Sequence, residues 1–354
     1  MGTRVSLSVS IMDSITQAAL GAAVAELGMG GKRLGNKAIL WGVGLGTLPD
    51  LDVLVHPWLG SIQRLEWHRG ISHSLVFMVV ASPLIGWLIS RIQRGDVSVV
   101  RAAWTTFAIF FTHVLIDVFT VYGTMIFEPF SDRRVGFNNL FIIDPLFTLP
   151  LLAGLIAAGF CRRNLARRQF WNSAGLAIST LYVIWSFGAK ATADAHFAAS
   201  MREQGISYNR RMTAPTPFNT LLWRSLAATD DGCWIGYWSL LDRRRPVEFD
   251  FIPRNDALLE GIADTRAVQR LIWFSNGYYG VEKRGDHIVI SDWRFGEVRP
   301  NSGPISEENF PQSIFAWRLT YTHGELLPMG VRVTVNRRQW LQTLRHRLIG
   351  VNSE

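Results

Sequence analysis

The sequence predicts an α-helical polytopic membrane domain of about five to six helices, followed by a β-rich soluble domain. Two observations carry this. Charges are almost absent from Leu75–Ser90, Ala102–Gly123 (Asp117 excepted), Pro145–Cys161 and Trp171–Ala189, stretches of 16 to 22 residues. About 20 apolar residues cross a bilayer as a helix. After about Asp194 the texture becomes charged, alternating and Trp-rich. The predicted domains are 12–194, membrane-embedded, and 195–354, β-rich. Residues 1–11 are too short and polar for a cleavable signal peptide, and read as disordered or as a start mis-assigned ahead of Met12.

The first helix is expected over 13–28, where Ala18, Ala19, Gly21, Ala22 and Ala23 permit close packing. The second, 36–55, is apolar until Pro49 and then turns acidic. A third over 73–90 has Ser72 as its expected cap; a fourth spans 102–121, a fifth 145–161 with Asp144 as cap, and a sixth 171–190. The first two are short or interrupted, which suggests partly re-entrant segments. Strands are expected at 233–241, 246–252, 271–282, 287–295, 314–321 and 330–337, with turn signals at Asn276-Gly277 and Arg284-Gly285-Asp286.

Basic residues set the expected orientation. Loops after helices one, three and five hold ten (Lys32, Arg33, Lys37; Arg91, Arg94, Arg101; Arg162, Arg163, Arg167, Arg168), against Arg64, Arg69, Arg133 and Arg134 in the other two. The positive-inside rule then makes the odd loops cytoplasmic and puts the second domain outside. The net charge of +8 is spread without a basic stripe, so it argues for loop topology and anionic headgroups rather than nucleic acid. Cys161 and Cys233 form neither a disulfide framework nor a zinc ribbon. Gly28–Gly35 lacks the Ser/Thr after Lys32 that a phosphate loop needs, and no GxSxG nucleophile is present.

Three polar clusters interrupt the apolar half: Asp50 and Asp52 in PDLD, His68 and His73 in HRGISHS, and His113 with Asp117 in HVLID. Ionisable groups are costly to desolvate there and need a reason. His113 and Asp117 are four apart on a helix and share a face, as a metal pair or as a buried hydrogen bond. Gly70 allows a turn that leaves His73 in the first helical turn and His68 in the loop before it. Asp50 and Asp52 diverge unless the backbone bends near Pro49. Asp50, Asp52, His68, His73 and Asp117, with Asp13 at the start of the first helix, all point to one, non-cytoplasmic membrane face. Imidazoles and carboxylates suit a divalent ion, Zn before others, as one or two ions. Asp50 or Asp52 is a candidate general base, Arg69 offers a planar fork for a developing anion, and Arg133 and Arg134 offer further substrate contacts. His56 is a possible extra ligand.

Met12-Asp13-Ser14-Ile15-Thr16, PDLD, HRGISHS and the run from His113 to Thr124 resemble the YdjM-type family of bacterial inner-membrane metal-dependent hydrolases, over roughly residues 12–160. The resemblance implies that Asp50, Asp52, His68, His73, His113 and Asp117 match that family's polar positions. Where many relatives carry His, this chain has Gln17, a poor ligand, which puts a second metal in doubt. The order Asp, His, then HxxxD is also similar to that of zinc-dependent phospholipase C enzymes. The leading expectation is a multi-pass inner-membrane hydrolase with an extracytoplasmic site, acting on an ester-type bond such as a lipid phosphoester. A transporter with a His/Asp proton relay, and a non-catalytic assembly factor stabilised by metal, are the alternatives. Nothing in the sequence sets the oligomeric state.

Overall fold

The computed structural model describes residues 6–31, 33–161, 163–242, 246–298, 310–322, 325–331 and 337–349. They separate into two compact units. One comprises 1–57, 66–187 and 217–219, the other 58–65, 188–216 and 220–354.

The first unit is helical. Helix α1 (Ser6–Met29) packs on α2 (Asn36–Thr47), on α5 (Val99–Val118) and on α6 (Pro145–Phe160), while α4 (Leu75–Ile92) packs on α5. The short α3 (Ser61–Trp67) links the second and third apolar stretches. Residues 6–11 are helical rather than disordered, and Met1–Val5 lie outside the described residues. Small residues bring α1 and α2 together: a Cβ on Gly42 would collide with the Gly21 carbonyl and the Ala22 Cα. Gly42→Val is therefore expected to lose about 1–3 kcal/mol or more by overpacking. Thermal unfolding in detergent should show the drop, and an unchanged midpoint would mean that the two helices do not meet there.

The membrane count is lower than the sequence suggested. Among the described residues, three helices (α4, α5 and α7, Leu165–Glu203) are long and apolar enough to cross, or four if α2 and the 3-10 segment Pro49–Trp58, bent by 46°, form one broken span. Helix α6 has 16 residues, about 24 Å, short of a roughly 30 Å hydrocarbon core. Helix α1 holds buried Gln17 and Glu26 among its alanines and reads as a packing helix. The expected sixth helix is part of α7, which continues for 39 residues. No Gly or Pro stops it after Lys190, and Ala189, Ala193, Phe197 and Met201, each four apart, supply a second buried stripe. Ser74, not Ser72, caps α4, accepting from Phe77 N at 3.1 Å. Asp144 caps α6 as expected, accepting from Leu146 N at 3.0 Å.

The two ends of the helical unit differ. At one, Arg168 donates to both Glu26 oxygens (2.6 and 2.5 Å), to Asn36 and to the Gly35 carbonyl. That ion pair ties the end of α1 to the starts of α2 and α7. Gln17 lies nine residues earlier on α1, about 14 Å away. There the ends of α2 and α5 meet the start of α4.

The second unit carries two antiparallel four-stranded meanders. The first is β1 (Arg210–Pro215), β2 (Leu222–Ala228), β3 (Gly232–Ser239) and β4 (Phe249–Pro253). The second is β5 (Tyr279–Arg284), β6 (His287–Val298), β7 (Gln312–Thr322) and β8 (Glu325–Gly330). Arg284 pairs with His287, so Gly285-Asp286 forms the two-residue hairpin that the sequence signals. The expected strand 271–282 is corrected: its first part belongs to α8 (Arg266–Phe274). Ala267, Val268, Leu271 and Phe274 are buried there at helical spacing, and the strand begins only after Asn276-Gly277. Residues 332–336 of the strand expected at 330–337 lie outside the described residues, and α9 (Arg337–Ile349) follows. Strand β2 escaped notice because all of Leu222–Ala228 is buried, which erases any alternation.

Candidate metal centre

Four side chains from three segments converge in the helical unit. Asp50 comes from the 3-10 segment after α2, His73 from a 3-10 turn before α4, and His113 and Asp117 from the last two turns of α5. One donor atom of each lies within 4.8 Å of all the others. His73 Nε2 is 3.2 Å from His113 Nε2 and 3.3 Å from both Asp50 Oδ1 and Asp117 Oδ2. His113 Nε2 is 3.6 Å from each of the same two oxygens.

Local sequence explains each placement. His113 and Asp117 share a face by their i, i+4 spacing. The chain bends at Leu48-Pro49, and a 3-10 helix turns about 120° per residue. Asp50 and Asp52 therefore point in different directions, Asp50 into the group and Asp52 away from it. The turn that delivers His73 places its positive φ at Arg69 (60°), a conformation unusual for a non-Gly residue and common at functional sites. Gly70 stays compact because a Cβ there would approach Glu128 Oε2 and the Trp67 carbonyl.

The surroundings orient the donors. His113 Nδ1 faces the Gly46 carbonyl at 2.7 Å, and a carbonyl only accepts, so Nδ1 carries the proton and Nε2 presents a lone pair. His73 Nδ1 faces Ser72 Oγ at 2.9 Å. Asp117 Oδ1 accepts from Gln17 Nε2 at 2.9 Å and faces the Arg69 guanidinium at 3.2 Å, while Oδ2 has no hydrogen-bond donor and is buried. Two imidazole nitrogens facing each other at 3.2 Å, with two carboxylate oxygens aimed at the same point, need a cation or protons between them.

A zinc-sized ion passes this test. Bonds of about 2.0–2.2 Å at tetrahedral angles set neighbouring donors about 3.3–3.6 Å apart; the five separations that involve an imidazole run from 3.2 to 3.6 Å, and the Asp50 and Asp117 oxygens lie within 4.8 Å of each other. The donor chemistry suits a divalent ion of that kind. Three of the donors are buried, and the Asp50 side chain retains 17% exposure, which marks the side open to solvent.

The other expected residues lie around the group rather than in it. His68 Nδ1 donates to Asp52 Oδ1 (3.2 Å), and Asp52 Oδ2 accepts the Arg69 backbone N–H (3.0 Å), so these two make a separate pair. Arg69 is 1% exposed; its fork faces Asp117 and Thr120 Oγ1 (3.1 Å), so it is turned inward instead of towards an anion outside. Arg134 donates to the carbonyls of Gly123 and His68, and Arg133 is exposed. Sequence reasoning passed over Gln17, Ser72, Gly46 and Thr120 as supports. Two carried a signal: Gln17 stands where many relatives carry His, and Thr120 stands three residues after Asp117.

The model of the YdjM inner membrane protein family matches residues 12–193, over half of the chain, and the chain belongs to that family. It is 32% identical over 110 residues to the Escherichia coli inner membrane protein YbcI, covering 30% of this chain and 62% of that one. It is also 26% identical over 107 residues to Bacillus subtilis YfhP, covering 30% of this chain and 32% of the relative. The chain thus matches less than two thirds of either relative's length. No solved structure matches it.

Proposed function

We propose that this chain is a metal-dependent hydrolase of the inner membrane, with Zn as its ion, cleaving an ester-type bond and most naturally a lipid phosphoester. The convergence of the four donors carries the reading: Asp50, His73, His113 and Asp117 each aim one atom at a common point, and every separation that involves an imidazole matches that around one tetrahedral ion. A divalent ion held there would supply Lewis-acid polarisation of the scissile bond. Asp50, the least buried member, sits on the side from which a substrate would approach. The Gly46 carbonyl and Ser72 fix the two rings, Gln17 and Arg69 fix Asp117, and such supports are a regular part of metal sites. Asp52 and His68 stand apart, so one ion rather than two is proposed.

Arg33, Lys37, Arg91, Arg94, Arg101, Arg163, Arg167 and Arg168 all lie near the helix ends opposite the donor group. The positive-inside rule supports an extracytoplasmic site among headgroups, where exposed Arg133 would meet a phosphate. A site at one end of the helices also counts against a transporter, whose sites lie near the midplane between repeats.

One observation favours a second reading. Four protein donors complete a tetrahedron, and closed sets of this kind are usual for structural zinc, as in a non-catalytic assembly factor. The experiment separates the two. The detergent-solubilised full chain is assayed with and without Zn on phosphomonoester, phosphodiester, carboxylic ester and amide probes. The expected result is turnover of an ester class that chelation abolishes and Zn restores. Bound Zn with no turnover of any class, and a lowered melting temperature on chelation, would establish the structural role.

A further inference from the structure

The pair left outside the donor group has a geometry of its own. Asp52 is 7% exposed at its side chain and fixed through Oδ2 by the Arg69 backbone N–H. Its Oδ1 accepts the Nδ1 proton of His68 at 3.2 Å. That bond sets the tautomer, so Nε2, across the ring, presents the lone pair. The His68 ring is 24% exposed, held edge-on by Tyr122 at 5.2 Å and His56 at 5.9 Å between centroids. Tyr122 is in turn held between the Arg69 and Arg134 guanidinium groups, 5.0 and 5.1 Å from its centroid. Arg134 also donates to the His68 carbonyl. Asp52 stands two residues after Asp50, so the pair borders the donor group.

We propose that His68 is the general base and acid of the hydrolysis, and that Asp52 is its positioning residue. The role rests on the hydrolytic reading above and takes His68 out of the ligand set. His68 Nε2 accepts a proton from the attacking water as the water oxygen bonds to the electrophilic centre of the ester. It returns that proton to the leaving oxygen as the ester bond breaks, giving an alcohol and an acid. A carboxylate behind an imidazole serves both halves, since it holds the ring in place and stabilises the imidazolium between them.

The test uses the full chain in detergent, with H68Q and D52N beside wild type. Zinc content, kinetics on the probe ester that wild type hydrolyses, and labelling of histidines by diethyl pyrocarbonate, located by mass spectrometry, are measured together. H68Q is expected to keep the wild-type zinc content while kcat falls about 100-fold or more, the usual range for a lost acid–base group. D52N should lower kcat with KM unchanged. Wild-type His68 should label at the same rate with and without Zn, while His73 and His113 resist. Zinc protection of His68, or metal loss in H68Q, would make it a ligand and overturn the proposal. Undiminished turnover in H68Q would overturn it as well. A wild-type protein that hydrolyses none of the probes removes the hydrolytic reading itself, and the catalytic role of His68 with it.

Discussion

Replacing His113 with Ala is expected to empty the metal centre, and Asp117→Asn to do nearly the same. Supporting residues alone are worth 10–100-fold in metal affinity, so removal of a donor should cost more than about 100-fold. Both variants, purified beside wild type and dialysed against dilute Zn, should carry far less than the wild-type content by elemental analysis. Unchanged content in both would dismiss the group as a metal site. Proton competition supplies a further check. Burial by itself pushes the His73 imidazole down; the Asp117 and Asp50 carboxylates facing its Nε2 outweigh it and raise it to about 9. A metal takes only the neutral ring, so its entry at pH 7 must displace that proton. Affinity should rise with pH until about 9 and then level off, with proton release visible by calorimetry in buffers of different ionisation enthalpy.

What the sequence revealed and what it hid follow from the range of the interactions concerned. His113 and Asp117 were legible because a helix fixes their shared face within one turn. That Asp50 and His73 would join them was inferred from helix ends falling on one membrane side, a topological argument that needs no distances. The exclusion of Asp52 and His68 was not legible. It depends on a 3-10 geometry at Pro49–Trp58 and on a left-handed Arg69, both local backbone choices that composition does not disclose. Spans were overcounted for a related reason. Hydropathy shows that a stretch is apolar, yet burial by neighbouring helices, as for α1 and the short α6, requires apolar residues too. The helix α8 was misread because Leu271–Phe274 is a short apolar run, and periodicity alone cannot assign such a run to helix or strand.

Arg69→Met is expected to weaken metal binding and to destabilise the fold together, and this outcome distinguishes the two roles an arginine beside a metal can play. A fork aimed at substrate would, when removed, lower turnover and leave metal content and stability alone. The buried Arg69 instead places one terminal nitrogen 3.2 Å from Asp117 Oδ1 and the other 3.1 Å from Thr120 Oγ1. Breaking a buried pair from one side costs about 3–5 kcal/mol, because the remaining charge stays desolvated. Gln17 alone would then hold Asp117 Oδ1, and the carboxylate would be free to rotate Oδ2 away from His73 and His113. Zinc affinity should fall about 10–100-fold, as for other supporting residues. Arg69→Lys should recover part of the stability, since it restores the charge but not the fork that bridges Asp117 and Thr120. Elemental analysis and thermal unfolding, each with and without Zn, check both effects. A variant with full zinc, unchanged melting and lost turnover would return Arg69 to the substrate.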